Sequence, residues 1–244
     1  MLGLIGSGNM GSALARGLGQ PVIAGDVDPV RAQALVDEVG GEVASSNADL
    51  AQRADVVVLA HKPAQLAEVA GEVAPHVDGK LVISLLGGVP EPEVATAYPG
   101  ATVVRIMPNT PVQIRRGVVC VADGPHAGRE VDLLAPLGEI VVVPESLMDV
   151  AMATMSVSPA YVAVLIEAHV DAAVRRGLPA PVATRLAVAA FAGAADLVGH
   201  RGGDTLRVRR EVTSPGGSTA RGLAALEASG IRHAFDAAMG AVVE

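Results

Sequence analysis

The sequence predicts a two-part chain. Residues 1–148 read as an α/β domain on a doubly wound sheet, and 149–244 as an all-α domain. Three observations carry that reading. Apolar runs of strand length recur at 2–5, 21–24, 55–60, 81–86, 102–107, 117–122 and 140–143. Helical patterns lie between most of them. After about residue 146 the strand signals stop and Ala-rich helical patterns take over. Strands alternating with helices give a sheet covered on both faces.

Taken in order, "LGLI" opens the chain as a strand and "NMGSALARGL" follows as a helix. "PVRAQALVDEVG" has Pro29 near its start and Gly40 at its end, the usual asymmetry of helix termini. A continuous run such as "DVVVLA" (55–60) suits a strand buried on both faces of a parallel sheet. In the second part, Pro159–Arg176 reads as a helix closed by Gly177, and 180–200 as a second. Two more follow in 214–230 and 231–243. The uncharged run from Val150 to Ile166 is short for a membrane span and contains Pro159, so it reads as a linker entering a buried helix. The helix over 180–200 is apolar nearly all round, interrupted mainly by Arg185 and Asp196, and needs cover on most sides. A bundle of about 95 residues has little interior to offer it. Self-association, as a homodimer at minimum, is the expectation.

Composition excludes several classes. Half of the 244 residues are hydrophobic, enough for a sizeable core. A net charge of −8 without a basic block gives nothing to hold phosphate backbones. Aromatics at 2% provide no stacking platform, so no nucleic-acid partner is expected. Cys120, the one cysteine, cannot form an internal disulfide, which fits a reducing compartment. The sequence starts on a strand, without a basic n-region or cleavage site; a cytoplasmic location without a membrane partner follows. His61, His76, His126, His169, His200 and His233 are scattered without ligand spacing, so no metal is expected.

"LGLIGSGNMGSALARGL" holds Gly6-x-Gly8-x-x-Gly11 between a strand and a helix, the setting of a Rossmann-type dinucleotide site. Gly6 permits the tight turn, Gly8 lets a pyrophosphate approach the backbone, and Gly11 lets helix and strand pack closely. Asn9 and Met10 open the helix, whose free N–H groups and positive dipole end suit phosphate. Asp26 ends the second strand at the spacing expected of a ribose-binding acid. A carboxylate there accepts ribose hydroxyls and repels a 2′-phosphate, which favours NADH over NADPH, although Arg31 is placed to reach such a phosphate. Asp26 could instead cap the next helix, but Asp28 is better placed to do so.

A Pro and two Gly interrupt the helical second part in "EVTSPGGSTARGLAALE" (211–227). Pro215 removes a donor, and Gly216 and Gly217 cost helix stability. With "HKP" at 61–63, "RIMPNTP" at 105–111 and "VTSPGGSTARGLAALEASGIRHAF" at 212–235, the chain resembles pyrroline-5-carboxylate reductase, in order over nearly its whole length. The resemblance implies a helical domain that interlocks with a second subunit, and reduction of a cyclic imine to L-proline, the last step of proline biosynthesis. It implies that Asn47 faces the adenosine end of NADH or NADPH, that the Lys62-Pro63 backbone lines the cofactor cleft, and that Asn109 sits near the nicotinamide. Asn47 also suits a helix N-cap, and Pro108 and Pro111 a strand end. The N–H groups of Ser214, Gly216, Gly217, Ser218 and Thr219 can converge on the substrate carboxylate, with the following helix aiming its positive end at the same anion. By resemblance, the Thr219 hydroxyl is the catalytic group, hydrogen-bonded to the imine nitrogen. A plain helix start capped by Ser214 is the structural alternative.

Three departures from the family pattern stand out. "MSVSPAY" (155–161) lacks two glycines usual there, His61 replaces a small aliphatic residue, and "LRVRREV" before the loop runs about two residues long. They touch the substrate's identity more than the reaction type. The competing readings are a reductase of a related cyclic imine carboxylate, a β-hydroxyacid-dehydrogenase-like enzyme, and a non-enzymatic NAD(H)-binding protein. The second needs a lysine on the first long helix of the second domain, and 159–177 has none.

Overall fold

Each of the seven apolar runs becomes a strand, and a short eighth joins them. The fold is that of a computed structural model describing residues 1–124 and 129–243; His126 lies outside them. The strands are β1 (Leu2–Ile5), β2 (Val22–Gly25), β3 (Gly41–Val43), β4 (Val56–Leu59), β5 (Leu81–Ser84), β6 (Thr102–Pro108), β7 (Gly117–Ala122) and β8 (Gly138–Val143). Their order in one sheet is β3-β2-β1-β4-β5-β6-β7-β8. Neighbours from β3 to β6 are parallel.

The β6–β7 pair is antiparallel, a departure from an all-parallel sheet with a simple cause. Residues 109–116 are fewer than the dozen or so that a parallel crossover needs. They form a 3₁₀ turn over Thr110–Ile114 instead. β8 then pairs parallel with β7.

Helices cover both faces. On one, α1 (Asn9–Leu18) and α2 (Pro29–Val39) bring Leu14, Leu18, Leu35 and Val36 against Leu4, Val22, Val58 and Ile83. On the other, α3 (Asn47–Arg53), α4 (Leu66–Val73) and α5 (Glu91–Ala97) bring Leu50, Val69 and Val94 against Ile23, Val57, Leu59 and Val82. Adjacent strand residues go to opposite clusters, as the pleat requires. Each such side chain, fully buried, contributes about 1.5–3 kcal/mol. α6 (Arg129–Leu134) packs Leu134 into the first cluster. The Lys80 ammonium donates to the carbonyls of Ala51, Gln52 and Ala54, at 2.8, 3.1 and 2.8 Å, and so neutralises the C-terminal end of α3.

The chain forms two compact units, Met1–Pro159 and Ala160–Glu244. The first extends past the expected division at 148/149. The run from Val150, expected as a linker entering a buried helix, starts inside a helix, α7 (Met148–Met155), and Met148 and Met155 pack with Met107, Cys120 and Ala122.

The second unit holds most of α8 (Ser158–Val174), then α9 (Ala180–His200), α10 (Thr205–Glu211), α11 (Ser218–Ala228) and α12 (Ile231–Val243). α8 is not the buried helix expected. None of its residues is buried, and in α9 only Ala183 and Ala187 are. Val164, Leu186, Val188, Leu226 and Phe235 stand exposed. α9, and the stretch Glu145–Val174, are long and apolar enough to cross a membrane by length and composition alone.

Tyr98, at the end of α5, is fully buried, and its hydroxyl has no partner. Burial pushes its pKa well up. An unpaired buried hydroxyl costs free energy. Tyr98→Phe is therefore expected to leave stability unchanged or raise it by up to about 1 kcal/mol in urea unfolding. A clear loss would show that the hydroxyl is bonded after all.

Candidate active site

The glycine loop is shaped by steric contact. Gly6 has φ +104°, and a Cβ there would lie 2.5 Å from the Ala60 carbonyl carbon. A Cβ on Gly11 would lie 2.1 Å from the Gly6 carbonyl oxygen. Both positions exclude any side chain. Gly8 differs: its φ is −72°, and a Cβ would meet nothing within 4 Å. Nothing inside the protein requires glycine there. The room it leaves, at the N-terminus of α1, matches a pyrophosphate. Gly8 is the N-cap of α1, and no side chain caps that end, so the first N–H groups are open to a ligand.

The loop opens onto a groove of about 1190 Å³ at the carboxyl ends of β1 to β5. Strand order reverses between β1 and β4, the switch point where open α/β sheets bind ligands. The groove brings together Gly6, Gly8, Asn9, Met10, Asp26, Asn47, Lys62 and Pro63. Gly11 packs beneath it against Gly6. Asp28 is the N-cap of α2, its side chain accepting from Val30 N at 3.1 Å, which leaves Asp26 free for another task. The cap of α3 is Ser46, not Asn47. The Asn47 side chain therefore faces the groove without a capping duty.

Asp26 carries a role the spacing did not reveal. One carboxylate oxygen accepts from Ser7 N at 2.6 Å and the other from Asp28 N at 2.9 Å. The acid thus ties the glycine loop to the end of β2. Ser12 Oγ donates to Ser7 O at 2.9 Å and secures the loop from below. Neither serine lies at a position the glycine motif defines.

Asn109, expected near the nicotinamide, has its side chain engaged inside the first unit. It is buried and absent from the groove wall. Its Oδ1 accepts from Val118 N at 2.8 Å and its Nδ2 donates to Met155 O at 3.2 Å. It ties the β6–β7 hairpin to the end of α7.

In the second unit, the helix break is a tight turn. Gly217 N donates to Ser214 O at 3.0 Å, Gly216 has φ +69°, and a Cβ on Gly217 would meet Ser214 Oγ at 2.4 Å. The positive φ at Gly216 favours glycine, and a side chain at Gly217 would displace the Ser214 hydroxyl. Ser214 does not cap the next helix. Gly217 is the N-cap of α11, and no side chain closes that end. Among the described residues the hydroxyls of Ser214, Ser218 and Thr219 have no partner, and all three residues are exposed. Arg221 donates to Gly216 O at 2.7 Å and holds the turn from one side.

Two family models match different parts of the chain. Residues 145–244 match the model of pyrroline-5-carboxylate reductase dimerisation, and 1–88 match that of an NADP oxidoreductase, coenzyme F420-dependent. A pyrroline-5-carboxylate reductase of Corynebacterium melassecola is 35% identical, over 96% of this chain and 93% of its own. That of Escherichia coli is 33% identical over 98% and 94%. Among solved structures, the pyrroline-5-carboxylate reductase of Coxiella burnetii superposes with a TM-score of 0.87 at 28% identity, over 99% of this chain and 95% of that one. The Plasmodium falciparum pyrroline carboxylate reductase, solved with NADP bound, gives 0.85 at 28% over the same shares. A 3-hydroxyisobutyrate dehydrogenase of Mycobacterium tuberculosis, at 16% identity and a TM-score of 0.53, shares the fold alone. With relatives above 30% identity along nearly its full length, the chain belongs to the pyrroline-5-carboxylate reductase family.

Proposed function

We propose that this chain reduces 1-pyrroline-5-carboxylate to L-proline with NAD(P)H, the last step of proline biosynthesis, in the cytoplasm. The observation that carries the reading is the presence of an open donor set in each unit: a capless helix start beside the empty room at Gly8 in the first, and a capless helix start at Gly217 in the second. The first suits a pyrophosphate and the second a carboxylate. The nicotinamide supplies the hydride for the imine carbon when the cofactor is bound. The protein's residues do the rest. The N–H groups of Gly216, Ser218 and Thr219 hold the substrate carboxylate, while that of Gly217 keeps the turn closed on Ser214 O. The Thr219 hydroxyl bonds the imine nitrogen and keeps its proton in place, since a protonated imine accepts hydride far better than a neutral one. Holding two reactants in line and excluding water supplies most of the rate. A steady-state assay with 1-pyrroline-5-carboxylate and each reduced cofactor tests the reading directly. No turnover with either would end it.

The matched dimerisation segment and the bare apolar faces of α8 and α9 support a homodimer, or a larger assembly of dimers, through residues from about 150 onward. The second copy, not a lipid phase or a nucleic acid, is the cover we assign to those faces. Light scattering at micromolar protein without detergent is expected to give at least twice the chain mass. A folded monomer would refute it.

NADH is assigned as the preferred cofactor, because Asp26 repels a 2′-phosphate. Since Asp26 also braces Ser7 and Asp28, Asp26→Ala is expected to lower kcat/KM for both cofactors, and more for NADH. The NADH/NADPH ratio therefore reads the charge. A wild type that prefers NADPH tenfold, about 1.4 kcal/mol, shows that Asp26 does not select.

Thr219 is exposed and unpartnered, so it serves catalysis more than folding. Thr219→Val is expected to lower kcat by about ten- to a thousandfold with a smaller effect on KM and no loss of thermal stability. Unchanged kcat would mean that the imine takes its proton from water.

A further inference from the structure

His61 stands at the end of β4, where the family resemblance places a small aliphatic residue, and it borders the groove. A Cβ on Gly6 would lie 2.7 Å from its backbone nitrogen, so the residue abuts the tightest part of the glycine loop. Its ring is half-buried. Nδ1 lies 2.9 Å from the Lys62 carbonyl oxygen. A carbonyl only accepts, so Nδ1 carries the hydrogen and Nε2 holds a lone pair. That Nε2 is shielded from bulk water and has no partner in the protein. Burial lowers the imidazole's pKa below its usual value, against a smaller opposing pull from the Lys62 carbonyl, which keeps the ring neutral.

The result is an aimed acceptor left unsatisfied, a costly arrangement unless something meets it. Lys62 itself is held by Gln65, whose Oε1 accepts from Lys62 N at 3.1 Å. The carbonyl that fixes the tautomer is therefore fixed in turn. Strand order tells which part of a dinucleotide reaches this point. Asp26 ends β2 and faces the adenosine ribose. The open start of α1 follows β1 and faces the pyrophosphate. β4 is the next strand on the far side of β1, about 4.8 Å further across the sheet. The group beyond the pyrophosphate is the second ribose, whose hydroxyls are donors. A neutral imidazole acceptor suits a hydroxyl and does not suit a phosphate.

We propose that His61 is a cofactor-binding residue whose Nε2 accepts a hydrogen bond from a hydroxyl of the ribose on the nicotinamide side, the ring turning slightly about its Cβ–Cγ bond to meet it. The proposal rests on the dinucleotide reading of the groove. The test is equilibrium binding, independent of turnover. NADH, ADP-ribose and ADP are titrated by calorimetry into the wild type and into His61→Ala and His61→Gln. ADP-ribose keeps the second ribose but lacks nicotinamide, and ADP lacks both.

His61→Ala is expected to weaken NADH and ADP-ribose by about threefold to tenfold, the range for one neutral hydrogen bond, and to leave ADP unchanged. His61→Gln, which restores an acceptor, is expected to recover part of the loss. Without ligand, the melting temperature of His61→Ala is expected to equal or exceed that of the wild type, since an orphan acceptor is gone. Affinities left unchanged by His61→Ala for all three ligands would overturn the proposal. So would a loss for NADH alone, which would move the donor to the carboxamide, or an equal loss for all three, which would place the effect on the loop. A ligand-free variant melting well below the wild type would make the Lys62 contact the residue's purpose and also overturn it. A wild type that binds none of the three would sink the cofactor reading itself, a result distinct from any change between variants.

Discussion

The first unit depends on a turn with no room for a side chain. β1 must reach α1 while passing beside the end of β4, and the backbone at Gly6 lies against Ala60 and His61. α1 must then cross back so closely that Gly11 touches the Gly6 carbonyl. A methyl at Gly6 would push the turn off the end of β4, and one at Gly11 would push α1 off the turn. Their pairing, Leu2–Ile5 with Val56–Leu59, lies at the centre of the sheet, and both cores are built on its two faces. The same crowding leaves one space open, at Gly8. A turn that must be glycine for steric reasons thus also leaves a helix N-terminus bare of side chains. The anion site is a by-product of the packing, sharpened by Asp26 and Ser12, which hold the Ser7 backbone in place.

The second unit follows the opposite principle. It has five helices and almost no interior: α8, α10, α11 and α12 bury no residue, and α9 buries two alanines. Helices need apolar cover to outweigh the entropy of ordering them. Cover must come from outside, and a second copy of a small bundle with bare apolar faces provides it symmetrically. Local bonds keep its turns in shape meanwhile. Asp204 accepts from Arg207 N at 2.8 Å, and Arg201 and Arg207 converge on Glu211, whose pKa the Arg207 hydrogen bond lowers. Exposed pairs of this kind are weak. They orient the helix that leads into the Ser214–Thr219 turn more than they stabilise the fold.

Strands and the glycine loop were legible because their residues answer to one local demand each. Uninterrupted Val, Leu and Ile mark burial on both faces, and glycine at φ +104° admits no substitute. β3 was not legible: "GEV" is short, at the sheet edge, and largely exposed, so no apolar pattern announces it. The antiparallel β7 was legible in principle, from the length of 109–116. α7 was missed because its burial depends on sulfur-bearing partners from β6 and β7, far away in sequence. Asn109 shows the limit of motif reading. A motif fixes which residues recur, not which atoms they face. Here the amide is drawn inward by Val118 N and Met155 O, contacts that no single-sequence pattern encodes.

Asp26 shows how one side chain limits two functions at once. Each carboxylate oxygen already receives a backbone N–H, at 2.6 and 2.9 Å. Charge-assisted bonds of that length draw electron density toward the loop and fix the carboxylate's orientation. One lone pair per oxygen remains, enough for two ribose hydroxyls. Yet the field that repels a 2′-phosphate is partly spent on the two N–H dipoles, and Arg31 lies next to it, paired at 3.4 Å with Asp28. Arg31 is exposed, and an arginine beside a 2′-position welcomes phosphate. The NADH preference proposed for this site thus sets a braced acid against an exposed base. A preference set by such a difference is small and shifts with salt, because the exposed arginine is screened more than the half-buried carboxylate. The acid cannot be strengthened as a selector without loosening the loop it holds.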